Sequence, residues 1–166
     1  MRAGLDEAID PPVALPEGYR FLDGYKKALD QWLELLNRDG EFGTLTRDSV
    51  KTEIIRTLIP NGAVLVASGS EIVACASACH AGRFQPDALM NYVLVRADHR
   101  GAGLGRSVSL EAMKRARQQG YRGMVLQTDD KRDSAISMYL ALGFQPVTSD
   151  SAEVAARWAE VISRLA

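Results

Sequence analysis

The segment between Arg100 and Arg106 holds the residue types that bind a phosphate group. Three glycines at alternate positions lack the Cβ atoms that would keep a ligand away from the main chain, and the two arginines add positive charge beside them. The apolar pattern is strand-like before this segment and helical after it, so the unpaired N–H groups of a helix N-terminus lie at the turn. A strand, a glycine-rich turn and a helix in this order are typical of a phosphate site.

The spacing of these residues decides between kinds of phosphate loop. A Walker A loop needs a lysine followed by serine or threonine, and Arg106-Ser107 stands at the wrong distance from the earlier glycines, which excludes that loop. A dinucleotide fingerprint counted from Gly101 places Arg106 where a small residue must let the helix approach its strand. That alternative is weakened but stays open, because Asp129 follows the next strand roughly where a ribose-binding acid stands.

Two motifs in the chain resemble one known family. Arg100, Gly103 and Gly105 satisfy the pattern Arg-x-x-Gly-x-Gly, which resembles the acetyl-coenzyme A loop of the GCN5-related N-acetyltransferase (GNAT) family. Residues 135–144 resemble that family's closing motif, Ala-Ile-x-x-Tyr-x-x-x-Gly-Phe. Two motifs in the correct order are more specific than either alone, and the resemblance covers roughly residues 60 to 148.

The resemblance implies acetyl-coenzyme A (acetyl-CoA) as the acyl donor. Its pantetheine arm is expected to lie like an extra strand beside the strand ending at Val95, with a backbone N–H near Val95 facing the thioester oxygen. The reacting groups are expected in the split between this strand and the strand that ends at Thr128. The residues implied to bind the cofactor are Val93, Leu94, Val95, Arg100, Gly101, Ala102, Gly103, Leu104, Gly105, Arg106 and Arg132.

Tyr139 is the tyrosine of the closing motif and the predicted catalytic residue. Its phenol would protonate the departing thiolate, because acyl transfer to an amine needs a proton donor for the leaving sulfur. The alternative is a packing role between Ile136 and the sheet. Many members of the family tolerate the loss of this tyrosine, so the resemblance implies a contributory role.

Arg132 stands where the family often has an asparagine, and the segment Thr128–Arg132 resembles a branch of the family with two aspartates followed by arginine. The guanidinium would hold a cofactor phosphate or a pantetheine carbonyl, or it would pair with Asp129 or Asp130 at the surface. Both roles stay open.

The acceptor side is predicted by elimination, because the central strands and the glycine loop are assigned to the cofactor. Residues before Pro60, together with the C-terminal helix, then supply the remaining wall. Glu41 and Phe42 are the predicted substrate residues there, with Asn91 on a central strand, since an acidic and an aromatic side chain suit a cationic amine. Trp32 is a further candidate, although its place in an apolar helix stripe also suits the core.

The sequence does not single out a general base. Asp39, Glu41, His80 and Asn91 are candidates, and each also suits capping, solvation or packing. A bound water that relays the proton would serve equally well.

Composition excludes several classes of function. The chain has 166 residues, of which 46% are hydrophobic and 25% charged, and its net charge is -1, so one domain with no general attraction to nucleic acid or membrane is expected. The N-terminus lacks the apolar core of a signal peptide, and we expect a cytoplasmic protein, monomer or homodimer, with small-molecule partners.

Cys75 and Cys79 lie four residues apart in an apolar strand pattern. Their side chains share one face and stand too far apart for a disulfide. Neither their spacing nor His80 completes a metal-ligand set, so no metal is predicted and both thiols are expected to be buried and structural.

Hydrophobic periodicity predicts alternating strands and helices, and the resemblance to the GNAT fold implies a mixed α/β (α+β) domain, with a mostly antiparallel sheet of about six strands flanked by helices. The predicted strands are 19–22, 63–67, 72–79, 89–95, 123–128 and 144–148. Three helices are predicted over 25–36, 104–120 and 134–142. A fourth is predicted to begin after the N-cap Thr46 and to stop at residues 60–62. The last is predicted after Asp150, where Asp150 and Glu153 suggest a capping box.

Residues 1–16 are expected to form a loose arm of a single GNAT domain spanning 1–166. The element order agrees with the acetyltransferase fold, with one departure. The family commonly ends in two strands after the tyrosine-bearing helix, whereas this chain replaces the second strand with a helix. That difference concerns the acceptor side, which the C-terminal part of the family often helps to shape.

Three functions follow from these observations. The first is an N-acetyltransferase that acts on a small amine by direct attack in a ternary complex, with a protein N-terminus or lysine as a second class of acceptor. The second is a non-catalytic module that binds acyl-CoA and regulates a partner. The third is a nucleotide-binding oxidoreductase domain, which Arg106 and the shortage of parallel strands after the loop disfavour.

Overall fold

The computed structural model describes residues 1–5, 13–148 and 151–165. In this part of the chain six strands form one sheet in the order β1-β6-β5-β4-β3-β2. Neighbouring strands are antiparallel except β5 and β6, which run parallel. The strands are β1 (Arg2–Gly4), β2 (Tyr19–Phe21), β3 (Leu58–Ser68), β4 (Glu71–His80), β5 (Ala88–Val95) and β6 (Gly123–Leu126).

Five helices accompany the sheet within the described residues. They are α1 (Leu29–Arg38), α2 (Arg47–Ser49), α3 (Leu104–Gln118), α4 (Asp133–Ala141) and α5 (Ala152–Leu165). The predicted fold class is therefore confirmed: a mixed, mostly antiparallel sheet of six strands with flanking helices and a helix at the C-terminal end.

Alternation along β3 divides the core between the two faces of the sheet. Val64 and Val66 pack in the cluster that contains Val108 of α3, whereas Leu65 packs in the cluster that contains Trp32 of α1. This is the two-residue period of a strand buried on both faces. Each large side chain fully buried in this way stabilises the fold by roughly 1.5–3 kcal/mol.

Strands β5 and β6 pair for a short distance and then part. Their register joins Ala88 to Met124, Leu89 to Val125 and Met90 to Leu126, and β5 continues beyond that point to Val95. On its other side β5 carries a bulge against β4, between the pairs formed by Cys75 and Ser77. A bulge bends the strand that contains it, so it directs the second half of β5 away from β6.

The N-cap predicted at Thr46 is confirmed. Its side chain accepts a hydrogen bond from the Ser49 N–H, and the Ser49 hydroxyl accepts one from the Thr46 N–H, which completes a capping box. The helical path continues through a π-helical stretch and a 3-10 turn that ends at Thr57. The predicted stop at residues 60–62 is wrong, because these residues belong to β3, where a Cβ on Gly62 would lie 2.1 Å from the Ala78 carbonyl oxygen.

The expected loose arm is wrong for the first residues of the chain. Arg2–Gly4 forms β1 on the free edge of β6, and Ala3 and Leu5 are buried. Arg2 binds the buried Asp87 carboxylate through two hydrogen bonds, of 2.5 and 3.1 Å. A strand of three residues has no periodicity long enough for sequence reasoning to detect.

The strand predicted over 144–148 is also wrong. Gln145 makes an isolated bridge to Arg2, and both of its backbone hydrogen bonds to that residue are formed. Pro146 follows at once and has no N–H with which to extend a ladder. The count of six strands is therefore correct, although β1 takes the place that the sequence assigned to this segment.

The C-terminal helix is confirmed as α5. Its predicted capping box depends on Asp150, which lies outside the described residues, and in the structure the Ser151 hydroxyl accepts a hydrogen bond from the Val154 N–H. Arg157 pairs with Asp130 in the turn before α4, and Arg164 pairs with Asp133, the first residue of α4, so two ion pairs join α5 to this part of the chain.

Both cysteines are buried free thiols, as expected. Burial raises the pKa of the Cys75 thiol to about 12, so this group stays protonated and unreactive.

Across the described residues, none of the helices has the length and apolar character that crossing a bilayer requires.

Candidate active site

A cleft of about 1390 Å³ opens where β5 and β6 part. The second half of β5 forms one wall, and the glycine turn with the start of α3 closes one end. The segment after β6 and the first turns of α4 form the opposite wall, and the loop after α1 reaches across from the side. The predicted site residues that line it are Glu41, Phe42, Asn91, Val93, Leu94, Val95, Arg100, Gly101, Gly103, Leu104, Gly105, Arg106, Arg132 and Tyr139.

The glycine turn shapes the end of the cleft. Gly103 is the N-cap of α3 and has a φ of 78°, a left-handed conformation that glycine adopts without steric cost. Leu104 is buried and anchors the first turn of α3 in the core. A Cβ on Gly105 would lie 3.2 Å from the Met138 sulfur, so glycine here allows α3 and α4 to approach each other.

The N-terminus of α3 leaves backbone donors directed toward the cleft. No side chain in the described part of the chain caps this end, and the first helical N–H groups have no partner within the helix. Their partial positive charge favours an anion at this point. Ala102 lies in the same turn, and it packs against the core instead of lining the cleft.

His99, which was not selected from the sequence, forms side-chain contacts that hold the turn before the glycines in place. The guanidinium of Arg96 lies 2.6 Å from Nε2 of His99, and the Tyr19 hydroxyl lies 2.9 Å from Nδ1. A guanidinium can only donate, so Nε2 accepts and Nδ1 carries the ring proton and donates to Tyr19. The pairing connects β2 to this turn, and no local pattern in the sequence indicates so distant a contact.

Arg100 and Arg132 face each other across the cleft, and acidic residues of the loop after α1 lie between them. Arg100 donates to the Val95 carbonyl at 3.0 Å and to Asp39 at 3.1 Å. Glu41 accepts from Arg100 at 3.4 Å and from Arg132 at 3.1 Å. Arg132 also lies 3.4 Å from Asp129, so the surface ion pair considered for it is present, together with a contact inside the cleft.

Tyr139 lies on α4 with its ring packed edge-on against Phe144, at a centroid distance of 5.8 Å. The residue is 7% exposed, and burial raises the pKa of its phenol to about 12, which the nearby Arg132 opposes and Glu41 reinforces. Its hydroxyl has no hydrogen-bond partner among the described residues. The ring therefore packs in the core against Phe144, while Tyr139 also lines the cleft and its hydroxyl keeps its proton at neutral pH.

The cleft wall predicted to hold the acceptor contains an aromatic pair, of which only Phe42 was predicted. Phe42 packs edge-on against Tyr92 at a centroid distance of 5.2 Å, and both side chains line the cleft. Tyr92 sits in the β5 bulge with a φ of 50°, a left-handed conformation that is rare and costly for a bulky residue. Asn91 accepts a hydrogen bond from the Tyr92 N–H at 3.0 Å and so supports this bend. The sequence contains no signal for a positive φ at a tyrosine.

Three other candidates from the sequence lie elsewhere or are already paired. Trp32 is fully buried beneath α1 and belongs to the core. His80, at the far end of β4, lies 2.7 Å from the Tyr121 hydroxyl, away from the cleft residues. Asp39 is paired with Arg100, as described above, so the structure does not single out a protein base.

Comparison with known proteins identifies the class to which this fold and cleft belong. The model of the acetyltransferase (GNAT) family matches residues 29–144, which is more than half of the chain. The chain belongs to the GNAT acetyltransferase family. The dinucleotide alternative is therefore wrong, in agreement with a sheet whose described strands include a single parallel pair.

Among curated relatives, N-acetyltransferase 8B of Rattus norvegicus is 35% identical over 54 residues, which are 32% of this chain and 24% of the rat protein. The matching segment thus spans about a quarter of that relative's length. Most of the rat protein therefore lies outside the matched segment.

Solved structures agree with the fold. A GNAT-family acetyltransferase from Staphylococcus aureus superposes with a TM-score of 0.64 at 15% identity, covering 82% of this chain and 90% of that chain. Ard1 from Thermoplasma volcanium gives a TM-score of 0.67 at 14% identity, covering 82% and 91%. At this level of identity the likeness establishes the fold alone.

Proposed function

We propose that this chain is one acetyltransferase domain that transfers the acetyl group of acetyl-CoA to the primary amine of a small molecule, with protein amines as a second class of acceptor. The reaction is direct attack by the amine while both substrates are bound. The observation that carries the proposal is the cleft itself, which combines a free strand edge, a helix N-terminus and an unpaired phenol within one site.

The donor side fits the phosphates and the pantetheine arm of acetyl-CoA. The turn around Gly103 leaves main-chain donors of α3 without side-chain cover, so phosphate oxygens can approach them. Beyond Met90, β5 no longer pairs with β6, and Val93–Val95 offers backbone groups to an extended chain. Arg100, Arg106 and Arg132 add positive charge around the cleft.

Tyr139 is the proposed general acid for the departing thiolate. Its hydroxyl remains protonated because burial raises its pKa, and it has no competing partner in the described structure. A neutral phenol next to a sulfur anion gains a strong charge-assisted hydrogen bond as charge develops. A backbone N–H near Val95 is the proposed donor to the thioester oxygen.

The acceptor side is proposed to lie between Phe42, Tyr92 and Asn91. Aromatic walls bury the apolar part of an amine, and Glu41, with the Asn91 amide nearby, provides polarity that favours its nitrogen. The amine must lose a proton before it attacks, and a water bound in the cleft is the proposed relay.

Titration of the purified protein with acetyl-CoA, NAD and ATP, followed by a panel of primary amines, tests the proposal. We expect calorimetric binding of acetyl-CoA alone among the three, and release of free thiol when an accepted amine is added. Binding without release for any amine would favour the non-catalytic acyl-CoA module. Absence of acetyl-CoA binding would overturn both functions.

A further inference from the structure

Glu41 forms a bridge across the cleft. One oxygen of its carboxylate accepts from Arg100, in the turn before α3, and the other accepts from Arg132, the N-cap residue of α4. The carboxylate is 28% exposed, and it comes from the loop after α1, so three separate parts of the chain meet at this one group.

The bridge neutralises the positive charge that the cleft offers to a ligand. Arg100 and Arg132 face three carboxylates, those of Asp39, Glu41 and Asp129, within salt-bridge distance. A phosphate group that approached either guanidinium would meet these negative charges first. An anion and Glu41 therefore compete for the same hydrogen-bond donors.

We propose that Glu41 is an internal competitor for the phosphate-binding arginines, which the phosphates of coenzyme A displace when they bind. This inference rests on the proposed function, because it takes coenzyme A as the ligand of the cleft. Displacement breaks the contacts of Glu41 with both arginines and that of Asp39 with Arg100, and so releases the loop after α1 from the mouth of the cleft. The arginines then bind phosphate oxygens in place of the carboxylate.

The released loop also carries part of the acceptor wall. Phe42 is the next residue after Glu41, and its only described ring contact is with Tyr92 at the bulge of β5. Movement of Glu41 away from the arginines therefore draws Phe42 from Tyr92 and opens the acceptor side. Coenzyme A binding precedes acceptor binding in this scheme, and the free Glu41 carboxylate becomes available to an incoming ammonium group.

Calorimetric titration with coenzyme A compares the wild-type protein with Glu41→Gln and with the matched control Glu34→Gln. Glu34 makes an exposed ion pair with Arg38 on α1, away from the cleft. Exposed ion pairs are individually weak, so we expect Glu41→Gln to tighten coenzyme A binding by about two- to tenfold. Glu34→Gln should leave the affinity unchanged, and the affinity for pantetheine, which has no phosphate, should rise less than about twofold in Glu41→Gln.

Hydrogen exchange of the wild-type protein gives a second readout that needs no variant. The amides of residues 39–43 should exchange faster when coenzyme A is bound, because the loop loses its contacts with the arginines. Slower exchange there, or weaker coenzyme A binding by Glu41→Gln, would show that the loop after α1 closes over the ligand. Either result would overturn the proposal that Glu41 competes with the phosphates. An unchanged affinity in Glu41→Gln would also overturn it, while leaving the proposed function intact. Failure of the wild-type protein to bind coenzyme A would overturn both.

Discussion

Tyr139 combines a packed ring with an unpaired hydroxyl, and the two properties can be separated by one substitution. Tyr139→Phe keeps the edge-on contact with Phe144 and removes the proton donor. We expect turnover to fall by roughly ten- to a thousandfold with little change in acetyl-CoA affinity, as for loss of a general acid. Steady-state kinetics with a titration of acetyl-CoA measures both quantities.

The matched control for this change is Tyr121→Phe, which removes a hydroxyl that contacts His80 outside the cleft. Its turnover should equal that of the wild type. Equal turnover for Tyr139→Phe, under conditions where the chemical step limits the rate, would return Tyr139 to a packing role.

The buried phenol of Tyr139 also makes stability depend on alkaline pH. Its pKa is raised from 10.0 to about 12, so its contribution is fully present below pH 10 and is lost as the pH rises toward 12. We expect Tyr139→Phe to lose less free energy of unfolding than the wild type across this interval. Denaturant unfolding at pH 9 and at pH 11.5 provides the comparison, and parallel losses in the two proteins would contradict it.

Alanine substitutions at Gly103 and Gly120 separate the effect of backbone strain on stability from the effect of ligand contact on acetyl-CoA affinity. Their φ values are 78° and 85°, and a Cβ added to either would have no other protein atom within 4 Å. Alanine should cost each about 1–2 kcal/mol of stability, because both positions are left-handed. Only Gly103→Ala should also weaken acetyl-CoA binding, by about tenfold or more, because its methyl group lies where phosphate approaches the main chain. Equal acetyl-CoA affinities in the two variants would contradict the proposal that the turn around Gly103 binds phosphate.

At the scale of elements, the ion pair between Arg2 of β1 and Asp87 lies directly over Gly123. A Cβ there would lie 2.1 Å from an Asp87 oxygen and 2.8 Å from the Arg2 guanidinium, so Gly123→Ala must displace the ion pair. We expect the free energy of unfolding to fall by about 1–3 kcal/mol, the cost of disrupting a nearly buried acceptor. Gly4→Ala, in β1 with open space around its Cβ, is the control and should change stability by less than about 0.5 kcal/mol. Similar unfolding curves for the two variants would show that this pair does not hold the strand.

Helix α5 is attached to α4 through carboxylates whose charge depends on pH. Arg157 lowers the pKa of Asp130, and Arg164 lowers the pKa of Asp133, each through a hydrogen bond to the charged form. The contribution to stability is therefore present above the ordinary value of 3.8 and is lost as the pH falls below it. Protection factors of the amides in residues 152–165, which correct for the slower intrinsic exchange in acid, should fall on acidification to pH 3, and less so for Asp133→Asn, which has already lost one pair at neutral pH. The same fall in both proteins would argue against these pairs.

Long periodic elements were predictable from the sequence, and the short strand β1 was not. Leu104, Val108 and Ala112 repeat every four residues, which made α3 evident before the structure was known. β1 has three residues and is defined by pairing with a strand more than a hundred positions away. Pairing at that distance depends on tertiary packing, which local pattern does not encode.

For the molecule as a whole, the sequence predicted one half of the cleft better than the other. The glycine turn and α4 carry the two motifs that resemble the GNAT family, and that resemblance implied that they meet where β5 and the next strand part. The contact of Glu41 with two arginines and the bend at Tyr92 arise from long-range packing and a bulge, which leave no local signal. The acceptor side is accordingly the part for which the structure adds most.

The most direct test of the central claim is to follow acetyl-CoA labelled with ¹³C in its acetyl carbonyl while primary amines are added to the full chain. Transfer predicts that the thioester signal is replaced by an amide signal, with one free thiol for each amide formed, and that Tyr139→Phe slows both together. Thioester loss at the same rate with and without amine, giving acetate, would contradict acetyl transfer to an amine. So would an unchanged thioester signal across the whole panel of amines in a protein that binds acetyl-CoA.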